Sequence, residues 1–385
     1  MNTPGLLPVD AEDACLVGRV WDPRVGGPVV VSVRGRHLVD LTPRFPTIRD
    51  LLEEQEPVAA VKRDGRLIGD LDEVAANTAW PLRGRSRPWL LAPIDLQVVK
   101  AAGVTFAVSM IERVIEEYSR GDPRPAAELR QRITALIGTE LKELRPGSEE
   151  AARVKAHLIG AGLWSQYLEV GIGPDAELFT KAPVLAAVGT GSDIGVLETS
   201  AWNNPEPEIV LVVNSHGTVA GATLGNDVNH RDIEGRSALL LGKAKDSNCS
   251  AAVGPFIRLF DARFGMDDIR TESVGLAVEG TDGFRLDAVS TMTEISRDPG
   301  DLATQLFSGH QYPDGAALYL GTLFAPVQDR EETGRGFTHR DGDLVRIFSR
   351  RLGCLVNRVR PTGACDPWTF GIAALYRNLS ERGIG

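Results

Sequence analysis

A chain of 385 residues with 43% apolar and 24% charged side chains has the make-up of a folded globular protein, long enough for one large domain or a small one beside a larger one. Its formal charge of −10 argues against nucleic acid and anionic membrane as partners, yet leaves room for a small anionic ligand held by local cations. Cys15, Cys249, Cys354 and Cys365 form no CxxC pair, no basic-plus-apolar leader precedes Asp10, and no apolar run approaches the roughly 20 residues of a membrane span, so the reading is of a reduced, soluble, cytoplasmic protein.

In chain order, "CLVGRVWDP" and "GPVVVSVRGRHLVDLT" read as strands and hairpins broken by Gly and Pro. "TIRDLLEEQEPVAAVKR" reads as a helix with Thr47 as N-cap and Asp50, Glu53 and Glu54 early in it. "RGRSRPWLLAPID" has the texture of a linker, which places an N-terminal domain at 1–90 and a larger domain at 91–385. Leu129, Ile133, Leu136, Ile137 and Leu141 recur at helical spacing, and 149–168 predicts a second helix. From about 177 onward, short runs such as "EIVLVV", "DLVRIF" and "GCLVNRV" alternate with turn residues, which predicts a mostly β domain within an α+β chain.

The chemistry-bearing stretch is "NNPEPEIVLVV" followed by "GNDVNHRD". Residues two apart on a strand share a face, so Glu206 and Glu208 project together. A hairpin turning at Ser215-His216-Gly217 returns the chain so that Asp227 can join them. Three carboxylates on one spot suit Mg²⁺ or Mn²⁺, hard cations that take oxygen ligands. Spacing alone favours the plainer reading, a solvated strand end. "GTGSDIG" matches neither phosphate-binding glycine motif, so nucleotide binding is not expected.

Six phrases in order resemble the fumarylacetoacetate hydrolase family: "LFTKAP", "PEPEIVLVV", "GNDVNHRDIEGR", "GKAKDSNCSAAVGP", "LGTLFAP" and "GDLVRIFSRRLGCLVNRV". Within that family, "KAAGVTFAVS", "LWSQYLEV" and "WTFGI" resemble the 2-keto-3-deoxy-D-xylonate and 2-keto-3-deoxy-D-arabinonate dehydratases. The resemblance implies a mixed β-roll catalytic domain with a smaller N-terminal α+β domain. It also implies a homodimer or homotetramer acting on a small anionic 2-oxo acid in pentose catabolism. It assigns the metal to Glu206, Glu208 and Asp227. Lys181, Arg231, Ser247, Thr322 and Ser109 become substrate-binding candidates, and Glu112 and Lys243 the acid/base candidates. Glu234 stands where the family has glutamine.

One departure selects the reaction. Hydrolases of the family carry NYxxHxxE, and this chain has "TFAVSMIE", with Ser109 in place of the histidine and Glu112 keeping the glutamate. A hydroxyl without an adjacent base activates water poorly. The expectation is therefore a hydro-lyase: Mg²⁺-dependent dehydration of a 2-keto-3-deoxy-pentonate to 2-oxoglutarate semialdehyde. The alternative is an acylpyruvate C–C hydrolase or a related 2-oxo acid decarboxylase. Among the histidines, His230 reads as structural and His310 as a pocket candidate, while Cys249 reads as structural.

Overall fold

The computed structural model describes residues 5–79, 82–120, 144–160, 164–324, 326, 328–330 and 336–384. The β-branched runs form strands as expected. Leu16–Asp22, Gly27–Arg34 and His37–Asp40 make an antiparallel meander, extended by Arg66–Asp70. Leu16–Asp22 then pairs with Ala251–Leu259, Leu16 opposite Arg258. The same sheet continues through Val219–Asp227, Pro207–Val213, Ala316–Tyr319, Val98–Gly103 and Glu177–Ala182. The 1–90 segment therefore shares an eleven-stranded sheet with the rest of the chain. "RGRSRPWLLAPID" also differs from a bare linker, because Trp89–Leu90 pairs with Leu16–Asp22 through Val20 and Trp21.

A second, five-stranded sheet runs Arg285–Thr291, Ser273–Glu279, Leu344–Ser349, Gly353–Pro361, Asp193–Val196. Ile209, Leu211 and Val213 face one core cluster, with Leu276, Ile347 and Leu355 of this sheet. Val210 and Val212 face another, with Ile48, Leu51 and Ile257. Pro207–Val213 is thus buried on both faces, which is why it reads as an unbroken apolar run. At roughly 25 cal/mol per Å² of apolar surface, double-sided burial makes this strand the firmest platform available for a site at its end. The result is a mixed α+β fold with large mixed sheets, as the sequence predicts.

The helices differ more from expectation. Thr47 does cap a helix, and Asp50 completes a capping box, but that helix is only Ile48–Leu52. Pro57 starts a separate helix, Pro57–Ala60, since its ring suits the first turn. The second expected helix is two: Glu149–Gly160 and Gln166–Ile172, the latter capped by Ser165. The helix expected over 125–142 lies outside the described residues.

Candidate active site

The carboxylate geometry follows from strand register. Glu208 lies opposite Gly225 in the antiparallel pair, so Asp227, two residues on, shares its face and sits beside Glu206. The backbone closes this arrangement with Asp227 N–H donating to Glu206 O at 3.1 Å. One carboxylate oxygen from each of Glu206, Glu208 and Asp227 lies within 4.8 Å of the others, and all three residues are buried. The turn at 214–218 that makes this possible has Gly217 at φ 78°, a conformation that suits glycine.

Electrostatics mark the three as a crowded set. Burial, then the charges of Asp227 and Glu206, push the Glu208 carboxyl well above its ordinary range. The Gly321 N–H, 2.7 Å from Glu208 Oε2, offsets only part of this. Burial acts on Asp227 too, but Lys181 and Lys245 outweigh it and hold that carboxyl below its usual value. Lys245 Nζ bridges Glu206 at 2.5 Å and Asp227 at 3.1 Å. Burial opposes its charge, yet Asp227 and Glu206 hold the ammonium above its ordinary value. Where a lysine ammonium settles between two buried carboxylates, a hard divalent cation fits the same donors.

Lys181 has a supporting role. Its Nζ reaches Asp227 Oδ1 at 2.7 Å and also donates to the backbone carbonyls of Val228 and Lys245. Fully buried and shared among several acceptors, it fixes Asp227 and the following turn. His230 is structural, as expected. Its Nε2 accepts from Leu197 N–H at 2.9 Å and its Nδ1 lies 2.6 Å from Ala244 O. Burial pulls its pKa down to about 4, so it stays neutral.

Several expected residues sit elsewhere. Lys243 is exposed, because in the short helix Leu241–Lys245 residues two apart lie on nearly opposite sides. Lys245, not Lys243, is the lysine that this helix delivers to the carboxylates. Glu112 is not among the residues lining this pocket; its Oε2 accepts from Arg231 Nη2 at 2.8 Å. Arg231 in turn stacks 4.2 Å over the Trp202 ring, so the two are joined to each other beside that ring. Ser247 is also absent from the pocket wall, and its backbone N–H donates to Ser250 Oγ. His310 is exposed and stacked on Tyr312 rather than lining the pocket. Ser109 and Thr322 do line it, each with its hydroxyl donating to a nearby carbonyl, Phe106 O and Phe324 O, both at 2.8 Å.

Besides Lys245, the pocket contains two charged side chains that sequence reasoning missed, Arg113 and Glu177. Arg113 Nη2 reaches Glu206 at 2.5 Å, and its Nη1 reaches Glu234 at 2.7 Å. Glu177 lines the same pocket, and burial raises its carboxyl above the ordinary value, only partly offset by Arg113 and Lys245. Glu177 comes in from the neighbouring strand, directly opposite Gly103. A Cβ at Gly103 would lie 2.0 Å from Glu177 Oε2, so the glycine opens the space this carboxylate occupies. The available signal was Gly103 at the end of "VVKAAG" and an acidic residue just ahead of "LFTKAP", but only strand pairing joins them.

Two predictions follow from these placements. Gly103→Ala should displace the Glu177 carboxylate and cut turnover by about 10²-fold, the cost of misplacing a reacting group by about 1 Å. Its thermal midpoint should move far less than its rate; an unchanged rate would show that Glu177 has no part in turnover. Lys243→Ala should stay within about twofold of wild type, as surface changes usually do. Lys245→Ala should lose most activity, measured under saturating Mg²⁺ to separate it from weakened metal binding.

No protein-family model matches the chain. It is 29% identical over 193 residues to a "Probable 2-keto-3-deoxyxylonate dehydratase" of Haloferax volcanii, a match covering 50% of this chain and 63% of that protein, under two-thirds of its length. It is 29% identical over 227 residues to the 2-dehydro-3-deoxy-D-arabinonate dehydratase of Saccharolobus solfataricus, covering 58% of this chain and 70% of that one. Both relatives are dehydratases, enzymes of the hydro-lyase class. In fold it resembles a 2-keto-3-deoxy-D-arabinonate dehydratase complexed with magnesium and 2,5-dioxopentanoate, at TM-score 0.61 and 20% identity, covering 90% of this chain and 99% of that one. It also resembles a 5-carboxymethyl-2-hydroxymuconate delta-isomerase from Mycobacterium smegmatis, at TM-score 0.54 and 19% identity, covering 90% and 98%. This chain is thus related in sequence to 2-keto-3-deoxy-pentonate dehydratases and shares its fold with a 2-keto-3-deoxy-D-arabinonate dehydratase and a 5-carboxymethyl-2-hydroxymuconate delta-isomerase.

Proposed function

We propose that this chain is a Mg²⁺-dependent hydro-lyase that removes water from a 2-keto-3-deoxy-pentonate to give 2-oxoglutarate semialdehyde. The observation that carries the reading is a buried three-carboxylate cluster sharing one pocket with a separate carboxyl of raised pKa, Glu177. The dehydratase relatives and the fold support the same assignment.

Glu206, Glu208 and Asp227 would hold the metal, and their all-oxygen, buried set fits Mg²⁺. When bound, Mg²⁺ would supply Lewis-acid polarisation of a 2-oxo acid's carbonyl, which makes the C3 protons acidic. Glu177 then has the properties of the group that takes a C3 proton. It lies in the pocket, it is set apart from the metal cluster, and its raised pKa gives the proton a stronger acceptor than an ordinary carboxylate. As the C3–H pair forms the C3=C4 bond, the C4–O bond breaks and the hydroxide leaves as water, taking the proton that Glu177 removed from C3. Glu177, ionised again, is suited to take a proton from C5 and return it to C3, which gives the C4=C5 enol that tautomerises to the C5 aldehyde.

Lys245 has a different part. Held charged between Glu206 and Asp227, it offers a positive charge beside the three carboxylates, where a ligand's own carboxylate can find a partner. Ser109 and Thr322 present hydroxyls that are already oriented by backbone carbonyls, suited to a polyol substrate. The same geometry disfavours acylpyruvate hydrolysis, since Ser109 is bonded to Phe106 backbone and no histidine lines the described pocket. The cytoplasm, a homo-oligomeric state and pentose catabolism remain part of this proposal.

The test is a panel of 2-keto-3-deoxy-pentonates and acylpyruvates, assayed with and without Mg²⁺ and read by product mass. A product one water lighter than a pentonate substrate, lost with EDTA and restored by Mg²⁺, is the expected outcome. Brisk acylpyruvate cleavage with no dehydration of any pentonate would replace the reading with the hydrolase alternative.

A further inference from the structure

The pocket wall has more acid than base. Among the described residues lining it, Glu177, Glu206, Glu208, Asp227 and Glu234 face two cations, Arg113 and Lys245. Lys181 stands behind Asp227 as a third cation. Five carboxylates against three cations leave an excess of two negative charges, which one divalent cation would balance. A single substrate carboxylate held at the metal corner is then accommodated. A second one would have to find its own cation.

Arg113 is the obvious candidate, and Glu234 occupies it. The guanidinium joins Glu206 on one side and Glu234 on the other, with both carboxylates buried. Glu234 therefore stands across the Arg113 guanidinium from Glu206 in the same pocket, and a five-carbon 2-oxo acid held at the metal corner would extend its far end toward it. We infer that Glu234, by neutralising Arg113 at this distance from the metal ligands, makes the pocket select 2-oxo acids with an uncharged tail and reject those bearing a second carboxylate.

The physics is one of difference rather than total affinity. A unit charge about 5 Å away inside a protein, at an effective dielectric constant of about 20, changes binding by tenfold or more. Specificity of this kind comes from placing a repulsive group where the unwanted ligand's charge would sit. Glutamine in place of Glu234 keeps the size of the side chain but removes its negative charge. That end of the pocket would then be one unit less negative, with Arg113 still paired to Glu206.

This inference rests on the proposed metal-dependent binding of a 2-oxo acid, and the experiment separates the two. Calorimetry on the full chain with Mg²⁺ would compare 2-oxopentanoate with 2-oxopentanedioate, ligands of equal length that differ in one carboxylate. Because both carry the same 2-oxo carboxylate end, their affinity ratio cancels effects at the metal corner. Wild type should bind the monoacid at least tenfold tighter. Glu234→Gln should shift the ratio at least tenfold toward the diacid, and Arg113→Gln added to it should reverse that shift. Equal or tighter binding of the diacid by wild type overturns the inference, which keeps it decidable even if a variant fails to fold. An unchanged ratio in a folded Glu234→Gln protein also overturns it. Binding of neither acid to wild type with Mg²⁺ overturns the metal-bound 2-oxo acid reading itself, and the selectivity with it.

Discussion

Glu208→Gln will abolish Mg²⁺-dependent turnover, by at least about 10³-fold, while raising the thermal midpoint of the metal-free protein. Both effects come from one cause. Glu208 is buried against Asp227 and Glu206, and its carboxyl is pushed well above the ordinary value of 4.5. A carboxyl whose folded-state pKa is raised contributes most to stability below its unfolded pKa, and that contribution is lost as pH rises through the folded value. Once ionised, the group is therefore a burden that a bound cation relieves. Glutamine is nearly isosteric, keeps an oxygen for the Gly321 N–H, and carries no charge. The metal-free variant should melt higher than metal-free wild type as pH rises through the raised Glu208 value, and the gap should close on acidification. Mg²⁺ should raise the wild-type midpoint and leave the variant's nearly unmoved. Asp227→Asn should also lose turnover, but without the metal-free gain, because Lys181 and Lys245 already stabilise that carboxylate. Metal-dependent activity in Glu208→Gln within tenfold of wild type would remove the cluster from the mechanism.

The contrast between these two carboxylates shows what could be read from sequence. The cluster itself was legible, because strand periodicity and one tight turn fix the relation of residues 206, 208 and 227, and the observed register Glu208 to Gly225 follows that rule. Their opposite pKa shifts were not, since they depend on Lys181 and Lys245, which come from a different strand and a short helix. Phrase matching points to Lys243, and helical phase brings Lys245 to the carboxylates instead. Glu112 and Arg231, separate candidates in the sequence, are bonded to each other beside Trp202. In the fold, strands were legible from their composition, whereas the joining of the 1–90 strands to the central sheet rests on pairing between residues 242 apart, Leu16 and Arg258. No local pattern encodes such a contact. Glu177 is the same case within the site, for its place depends on pairing with Gly103 across 74 positions.

Glu177→Gln will lower kcat by about 10²–10⁴-fold, the range for loss of a positioned general base. Calorimetric Mg²⁺ affinity should stay within a few-fold of wild type, because Glu177 is not one of the three converging carboxylates. The pH profile distinguishes a proton-transfer role from a structural one. Burial raises the Glu177 pKa above the ordinary 4.5, so the ionised form that accepts a proton is depleted as pH falls toward that raised value. Wild-type kcat/KM should accordingly decline on the acid side with a limb above pH 4.5, and the residual activity of Glu177→Gln should lack that limb. Glu177→Asp keeps the group but draws it back by one methylene, and should recover part of the rate with the limb restored. A merely structural role predicts something else: Gln and Asp would be damaged in proportion to their loss of stability, and both would keep the wild-type pH dependence. If Glu177→Gln turns over within threefold of wild type, the proton must be carried by another group of the pocket.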